Sequence, residues 1–384
     1  MALGSGLAAQ IGYGVEVTPG TVVTPTIFVP LVSESLTEDR ENLESAGIIA
    51  GRRVLDSDMW NGGPITLGGG VQHELYDRGI GTLLKKIFGG NSTTGAGPYT
   101  HTITPGDLAD DAMTIQKGVP AVDGTVHPLT FGGCKVASAE IACSQGAIAT
   151  MGVTWVASNA QTGSRTVTDG ATTNTDTTVT SDTAVFTAAD VGLSISGTGI
   201  PAGATIASIN SGTSVEISAA ATATATGLTV VIGKALATAS YASGAKPVKF
   251  NHGSVTIGGS AVPVKACTVS IDNGLATDRR FLGSRYISTP IEQSLRSYTG
   301  SLDVEFTDLT QYRRYLAGDE FAIVLAFTVA TYSITFTMNA RYEPGQTPQV
   351  AGAEIVGQSL PFKCVGDTDA EAITVVVVNG DATI

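Results

Sequence analysis

Charge is what this chain has least of. Only 14% of its 384 residues are Asp, Glu, Lys or Arg, against about 25% in an average globular chain. The charge present leans one way, with 21 basic residues against 34 acidic and a formal net of −13. That shortage of Lys and Arg argues against a protein that grips nucleic-acid backbones or anionic membrane surfaces, because both need clustered cations. Cysteine is scarce too. Cys134, Cys143, Cys267 and Cys364 lie far apart without a C-x-x-C, which disfavours a zinc site or a dense disulfide framework and suits buried, reduced thiols in a protein made in a cytosol. No apolar run reaches the ~20 residues of a membrane span; the longest, Phe321 to Ala330, is about half that. Met1 to Gln10 has no basic n-region and its apolar stretch is broken by Gly4, Ser5 and Gly6, so no export signal is expected.

Gly, Thr, Ser and Ala fill the space that charge leaves, a composition that suits short strands and tight turns. The length allows two or three domains. One composition break is plain. From Arg165 to Gly233 the chain is rich in Thr and Ala, with Phe186 its single aromatic and Arg165 its single basic residue. Alternating runs such as Thr178-Val179-Thr180 and Val215-Glu216-Ile217, separated by Gly and Pro turns, predict a small all-β module instead of a disordered linker. Phe186, Val191, Ile200 and Ile206 are its expected core.

The second landmark is an internal repeat. Val29-Pro30-Leu31 returns as Val262-Pro263-Val264 at an offset of 233, and Gly51-Arg52-Arg53 as Gly283-Ser284-Arg285 at 232. Gly69, Val71, Glu74 and Asp77 return as Gly300, Leu302, Glu305 and Asp308 at 231. Val136 to Ile141 matches Val350 to Ile355 at 214. Each copy reads as an extended segment, a long polar loop carrying arginines, a strand, one helix and further strands. Asp77 and Asp308 are the expected N-caps, the second with Gln311 at capping-box spacing. Ile80, Leu83, Leu84, Ile87 and Phe88 should face inward on the first helix, and Leu309, Tyr312 and Leu316 on the second, before Gly89 and Gly318 end them.

No catalytic constellation stands out. There is no G-x-S-x-G and no phosphate-loop signature, and His73-Glu74 lacks the second His of H-E-x-x-H because Asp77 stands there. His101, His127 and His252 are isolated. Asp107, Asp110 and Asp111 lack the alternating spacing of a calcium loop and read as a solvated turn. Gly68-Gly69-Gly70 sits at the start of a strand and not between strand and helix, which points to backbone flexibility or close approach instead of phosphate binding. No catalytic residue, cofactor or metal is therefore expected.

The loop arginines are Arg40, Arg52 and Arg53 in the first copy and Arg279, Arg280, Arg285 and Arg296 in the second. They interleave with acids including Glu38, Glu41, Asp56 and Asp278. Mixed signs suit a protein partner, where Arg forks pair with carboxylates; solvated loops are the plainer alternative. Their recurrence in both copies favours contact between subunits or rings, with Arg40, Glu41, Arg52, Arg53, Arg279, Arg280, Arg285 and Arg296 as candidates.

Two stretches carry a resemblance. One runs from Leu36-Thr-Glu-Asp-Arg40 through Gly51-Arg52-Arg53 to Val71-Gln-His-Glu74 and the helix ending Ile87-Phe88-Gly89. The other runs from Cys267-Thr-Val-Ser-Ile271-Asp-Asn-Gly-Leu275 to Tyr298-Thr-Gly-Ser-Leu302-Asp-Val-Glu305. In these the chain resembles the major tail tube proteins of long-tailed, non-contractile bacteriophages. The resemblance implies a mainly β fold of two sandwich or open-barrel domains, each flanked by one α-helix. It implies rings whose joined inner sheets line a channel, and a Thr-rich module like the accessory domains that decorate some tails. The expected division is 1–162, a tube domain; 163–236, the accessory module; and 237–384, a second tube domain. Two tube domains per chain would let three chains make a pseudo-sixfold ring. The ring would stack into a tube in the virion, built in the host cytoplasm with tape-measure, tip and terminator proteins, and would pass double-stranded DNA without binding it. A wall richer in Asp and Glu than in Lys and Arg keeps phosphates off over roughly a Debye length, ~8 Å; Glu34, Glu38, Asp303 and Glu305 are the candidates. The alternatives are a β-rich adhesin or surface-layer-like protein that binds a host receptor or carbohydrate, and an enzyme of unfamiliar type.

Overall fold

In a computed structural model residues 4–49, 51–344, 347–350 and 352–384 are described, and the chain is mainly β, as its composition predicts. Met1–Leu3, and Ala351 of the last repeat match, lie outside the described residues. The first half builds β1 (Gln10–Val15), β2 (Ile27–Phe28), β3 (Leu31–Glu34), β4 (Thr37–Glu44), β5 (Trp60–Glu74), α1 (Gly81–Phe88), β6 (Gly89–Thr94), β7 (Tyr99–Pro105), β8 (Met113–Pro120), β9 (Val126–Ser144), β10 (Thr150–Val156) and β11 (Asn159–Thr162). The Thr-rich stretch builds β12 (Ser164–Thr172), β13 (Thr178–Thr180), β14 (Ile195–Gly197), β15 (Ile206–Ser211), β16 (Ser214–Ile217) and β17 (Ala225–Gly233). The remainder builds β18 (Gly253–Ile257), β19 (Ser260–Ala261), β20 (Val264–Asp272), β21 (Ser297–Glu305), α2 (Thr310–Ala317), β22 (Phe321–Val329), β23 (Tyr332–Tyr342), β24 (Gly357–Cys364), α3 (Asp369–Ala372) and β25 (Ile373–Asn379).

The chain divides into two compact units. The first comprises Met1–Phe28, Ala112–Cys134 and Ala157–Ser240. In it β2, β1, β8, the first half of β9 and β11 pair antiparallel in that order, burying Ile11, Tyr13, Met113, Ile115 and Phe131. Glu16 is buried among them. Its carboxylate accepts from Thr114 Oγ1 at 2.7 Å and from the amides of Gly20 and Gly133 at 2.7 and 3.0 Å, which offsets its desolvation. The Thr-rich stretch forms a six-stranded sheet over its own core of Val167, Val179, Phe186, Ile200, Ile206 and Val215. The alternating β-branched residues thus fold a module. Val191 is the exception, 49% exposed. Its neighbour Asp190 takes the inward position, capping a short helical turn and pairing with both Arg165 nitrogens at 2.6 and 2.7 Å, so Val191 turns outward.

The second unit comprises Val29–Asp111, Lys135–Val156 and Tyr241–Ile384 and holds the main ladders of both repeat copies. One ladder runs through β5, β10, β9, β20, β21 and β24, with β3 and β4 along the outer edge of β5. The other runs β6, β7, β25, β23, β22, β18 and β19. Every pairing is antiparallel. Alternation buries one face, as with Ile65, Leu67 and Val71 on β5 and Phe321, Ile323, Leu325 and Phe327 on β22.

Helix α1 buries Leu83, Leu84, Ile87 and Phe88 completely. Gly89 ends it at φ +98°, its amide donating to Lys85 O. The expected cap is not made. Ile80 is the N-cap residue, while Asp77 is buried and spends its carboxylate on the Lys246 amide at 2.8 Å, one turn too early to cap. On α2, Asp308 accepts from the Thr310 amide at 2.6 Å, but Gln311 turns to Tyr342 Oη at 2.8 Å instead of closing a capping box. Leu309 and Leu316 were expected inward and stand 46% and 64% exposed.

The offsets of the repeat survive in strand register. Ser270 lies opposite Thr299 as Thr37 lies opposite Gly68, which reproduces the 233 and 231 offsets. The last sequence match does not survive. Val136 and Ile141 are buried in β9, whereas Val350 and Ile355 are exposed outside any strand. The repeat counterpart of β10 is β24, which pairs with β21 as β10 pairs with β5.

Candidate functional surface

Side chains directly opposite in an antiparallel ladder share a face, so register alone assigns the open face of the long ladder. One row crosses it as Gln72, Gly152, Glu140, Ser270, Thr299 and Lys363. The next row is Gly70, Thr154, Ser138, Asp272 and Ser297. The face is therefore small and hydroxyl-rich, and Glu34, Gln72, Glu140, Ser270 and Thr299 are among the residues lining an open depression of about 660 Å³ on it. Its acids include Asp39, Glu74, Glu140, Asp272, Asp303 and Glu305; its exposed cations include Arg341, held by Glu320 at 2.6 Å, and Lys363. Lys265 reaches Glu305 from β20 at 2.9 Å.

The four candidate wall acids are not brought together. Asp303 and Glu305 stand exposed on this face. Glu38 lies opposite Leu67 on the other face and accepts from Arg40 Nε at 2.7 Å. Glu34, beside a register shift, turns back to accept from the Leu36 amide at 2.8 Å at the margin of the depression. Glu74, Glu140 and Asp272 also lie on this face. Alternation against buried Val71, Ile141 and Ile271 marks all three, and Glu74 is the repeat counterpart of Glu305.

The two copies meet inside the chain. From Ala266 opposite Ser144 to Asp272 opposite Ser138, second-copy β20 adds to first-copy β9. Cys267 faces Cys143 across this seam, both thiols free, and burial pushes Cys267 up to about 12. The loop after β20 then lies over first-copy elements. Asn273 Nδ2 donates to Ile87 O and Val136 O, each at 3.0 Å. An Arg280 terminal nitrogen donates to Thr66 Oγ1 at 2.8 Å, Arg285 Nε to Gly63 O at 2.6 Å, and an Arg296 terminal nitrogen to Phe88 O at 2.9 Å. Arg279 stays within its own loop, donating to Thr289 O at 3.0 Å. In the first copy Arg40 and Glu41 lie on β4, not in a loop, and Arg52 pairs with Asp56. Arg52 and Arg53 are exposed.

Buried His73 and His101 have structural partners. His73 Nδ1 is 2.8 Å from Pro30 O, and buried His101 bridges Thr93 Oγ1 and Asp381 O, each at 2.9 Å. The acidic turn is not wholly solvated, since Asp111 pairs with buried Lys86. Among the described residues no group of three His, Cys, Asp or Glu could hold a metal, and no helix is long and apolar enough to cross a membrane. Gly68 and Gly69 sit at φ +144° and +143°, where an added Cβ would stand 2.2 Å from Trp155 O and Ser35 O. Close backbone approach is what these glycines permit.

No curated protein matches the chain. A family model described as phage tail tube protein matches it twice, over residues 6–224 and 207–364. Two matches along one chain are what a tandem duplication produces, in agreement with the repeat offsets and the shared strand register. The chain belongs to the phage tail tube protein family and is a structural subunit of a tail tube.

Proposed function

We propose that three of these chains close a ring of six tube domains, and that rings stack into a hollow cylinder walled by the open, hydroxyl-rich face of the long ladder. One observation carries this reading: two copies of the repeat are already joined edge to edge through β9 and β20. Among the described residues β3 and β4 pair only with β5, so their outer edge is available for the same joint with another chain. An open edge is a pairing hazard that a closed ring removes, and a head-to-tail contact closes when its rotation divides a full turn.

In this reading residues 1–162 and 237–384 are the two tube domains, and 163–236 is an accessory module on the outside of the tail. The particle is a long, non-contractile tail, assembled in the host cytoplasm with tape-measure, tip and terminator proteins. Duplex DNA carries one charge per ~1.7 Å. Asp39, Glu74, Glu140, Asp272, Asp303 and Glu305 outnumber the cations Arg341 and Lys363 and give it a wall that repels phosphates, while Ser and Thr keep that wall wetted. The subunit does no chemistry. Native mass spectrometry of rings released from assembled tubes tests the stoichiometry: three chains are expected, and six would overturn the reading.

A further inference from the structure

Lys234 directly follows β17, where the chain leaves the Thr-rich module. It is half-buried, yet among the described residues its ammonium has no hydrogen-bond or ion-pair partner. Burial holds it below its ordinary value, and no charged neighbour opposes that push. A cation taken from water without a counter-charge is destabilising. The chain has 34 acids to 21 basic residues and places none of those acids here.

Lys234 also lines a cleft of about 200 Å³ that lies within the first unit. Thr21 and the β11 residues Asn159 and Gln161 line one side, and Ser194 and Thr205 of the module line the other. The Ser194 hydroxyl donates to Gln161 Oε1 at 2.9 Å and ties the two sides together. Gln161 is only 4% exposed. That bond uses its carbonyl end, and among the described residues its Nε2 has no acceptor. Asn159 donates from Nδ2 to Gly20 O at 2.9 Å and buries Oδ1 without a partner. Among the described residues neither an acid nor an aromatic ring lines the cleft.

These features select a class of ligand. Lys234 and Gln161 Nε2 are donors without acceptors, one of them charged, and such donors call for an oxyanion. The Asn159 carbonyl and the Thr21 and Thr205 hydroxyls suit hydroxyl groups on the same molecule. A neutral sugar would only exchange hydrogen bonds with water for similar ones, at little net gain. We propose that the cleft binds a small hydroxylated oxyanion, a phosphate or carboxylate carried on a polyol or sugar, with the Lys234 ammonium paired to the anionic group and Gln161 Nε2 donating to it. A single lysine gives no grip on a nucleic-acid backbone, which needs several cations. The site does not depend on how chains close into rings, because every lining residue belongs to one unit of one chain.

Calorimetric titration of the full chain in a phosphate-free buffer tests the site, with glycerol 3-phosphate, glucuronate and glucose as probes. At least one of the two anions should bind, and glucose should not. Binding of glycerol 3-phosphate alone assigns the recognised group as phosphate, and binding of glucuronate alone assigns it as carboxylate. Lys234→Met should weaken the interaction about tenfold or more, the scale of one charge-assisted hydrogen bond, while Lys234→Arg should keep most of it. Without ligand, the thermal midpoint of Lys234→Met should hold or rise, because a desolvated cation with no partner has been removed. That second reading separates loss of the site from loss of the fold. The proposal is overturned if neither anion binds, if glucose binds equally well, or if Lys234→Met binds undiminished. A fall in the ligand-free midpoint would show that Lys234 serves the fold, and would overturn it too.

Discussion

Asn273 is the residue on which the seam between the two copies can be weighed. It is fully buried at the end of β20, its own amide donates to Ala137 O at 2.9 Å, and its side-chain amide satisfies Ile87 O and Val136 O. Ile87 O is among the last carbonyls of α1, which have no partner within the helix. Asn273→Ala leaves two buried acceptors without donors, at about 1–3 kcal/mol each. Asn273 Oδ1 is itself buried without a hydrogen bond, and deleting it returns about 1 kcal/mol. The net expectation is a loss of about 1–5 kcal/mol, since the two terms oppose each other. Asn273→Asp should do no better, because a carboxylate offers the two carbonyls no donor. Urea titration followed by tryptophan emission measures this, since Trp155 is buried on β10 beside the seam and the only other tryptophan, Trp60, is exposed. The midpoint should fall with an unchanged slope. A change under about 0.5 kcal/mol for Asn273→Ala, below the cost of one orphaned carbonyl, would refute the reasoning.

Gly69→Ala sets a Cβ against the Ser35 carbonyl at positive φ, and should cost about 3 kcal/mol or abolish soluble expression. Gly152→Ala meets only the flexible end of Gln72 and should cost far less; equal losses would contradict the close-approach account. Burial holds the His73 imidazole below its ordinary value, against the pull of its hydrogen bond to Pro30. The unfolded chain therefore takes up the proton first, so this contribution is complete above pH about 6.5 and declines as pH falls toward the lowered folded value, by at most about 1.4 kcal/mol per unit. Stability-versus-pH curves for the parent and His73→Gln should diverge in that window, and parallel curves would count against it. Glu140→Lys/Asp272→Lys puts cations at the middle of the open face. Tubes of this variant should retain short duplex DNA with affinity that falls steeply with salt, whereas retention equal to that of parent tubes would argue that this face is not the wall.

Much of the molecule was legible before any coordinates, and for local reasons. Alternation in β22 and β25, where every second residue is buried, is a local signal, because a strand with one wet face must alternate. The repeat gave two copies, because register carries the same offsets into the ladder. The glycine triplet was legible as close approach, since only a residue without a Cβ tolerates such positions. What failed was whatever depends on who stands nearby. Asp77 reads as a cap, yet its carboxylate is claimed by the Lys246 amide, 169 residues away. Val350 and Ile355 match strand residues by letter, but both are exposed and belong to none of the described strands.

The sequence by itself determined a mainly β chain with a duplicated tail-tube pattern and an acid-leaning composition, because these rest on neighbours along the chain and on counts. Only the tertiary structure decided which acids share a face: alternation separates two faces of every strand but leaves open which is covered, until pairing lines Gln72, Glu140 and Ser270 up across four strands. It alone also joined β9 to β20 and laid Asn273 over α1 while leaving α2 bare. Such contacts are set by backbone edges meeting from distant parts of the chain, and edges carry the same N–H and C=O groups whatever side chains the sequence spells.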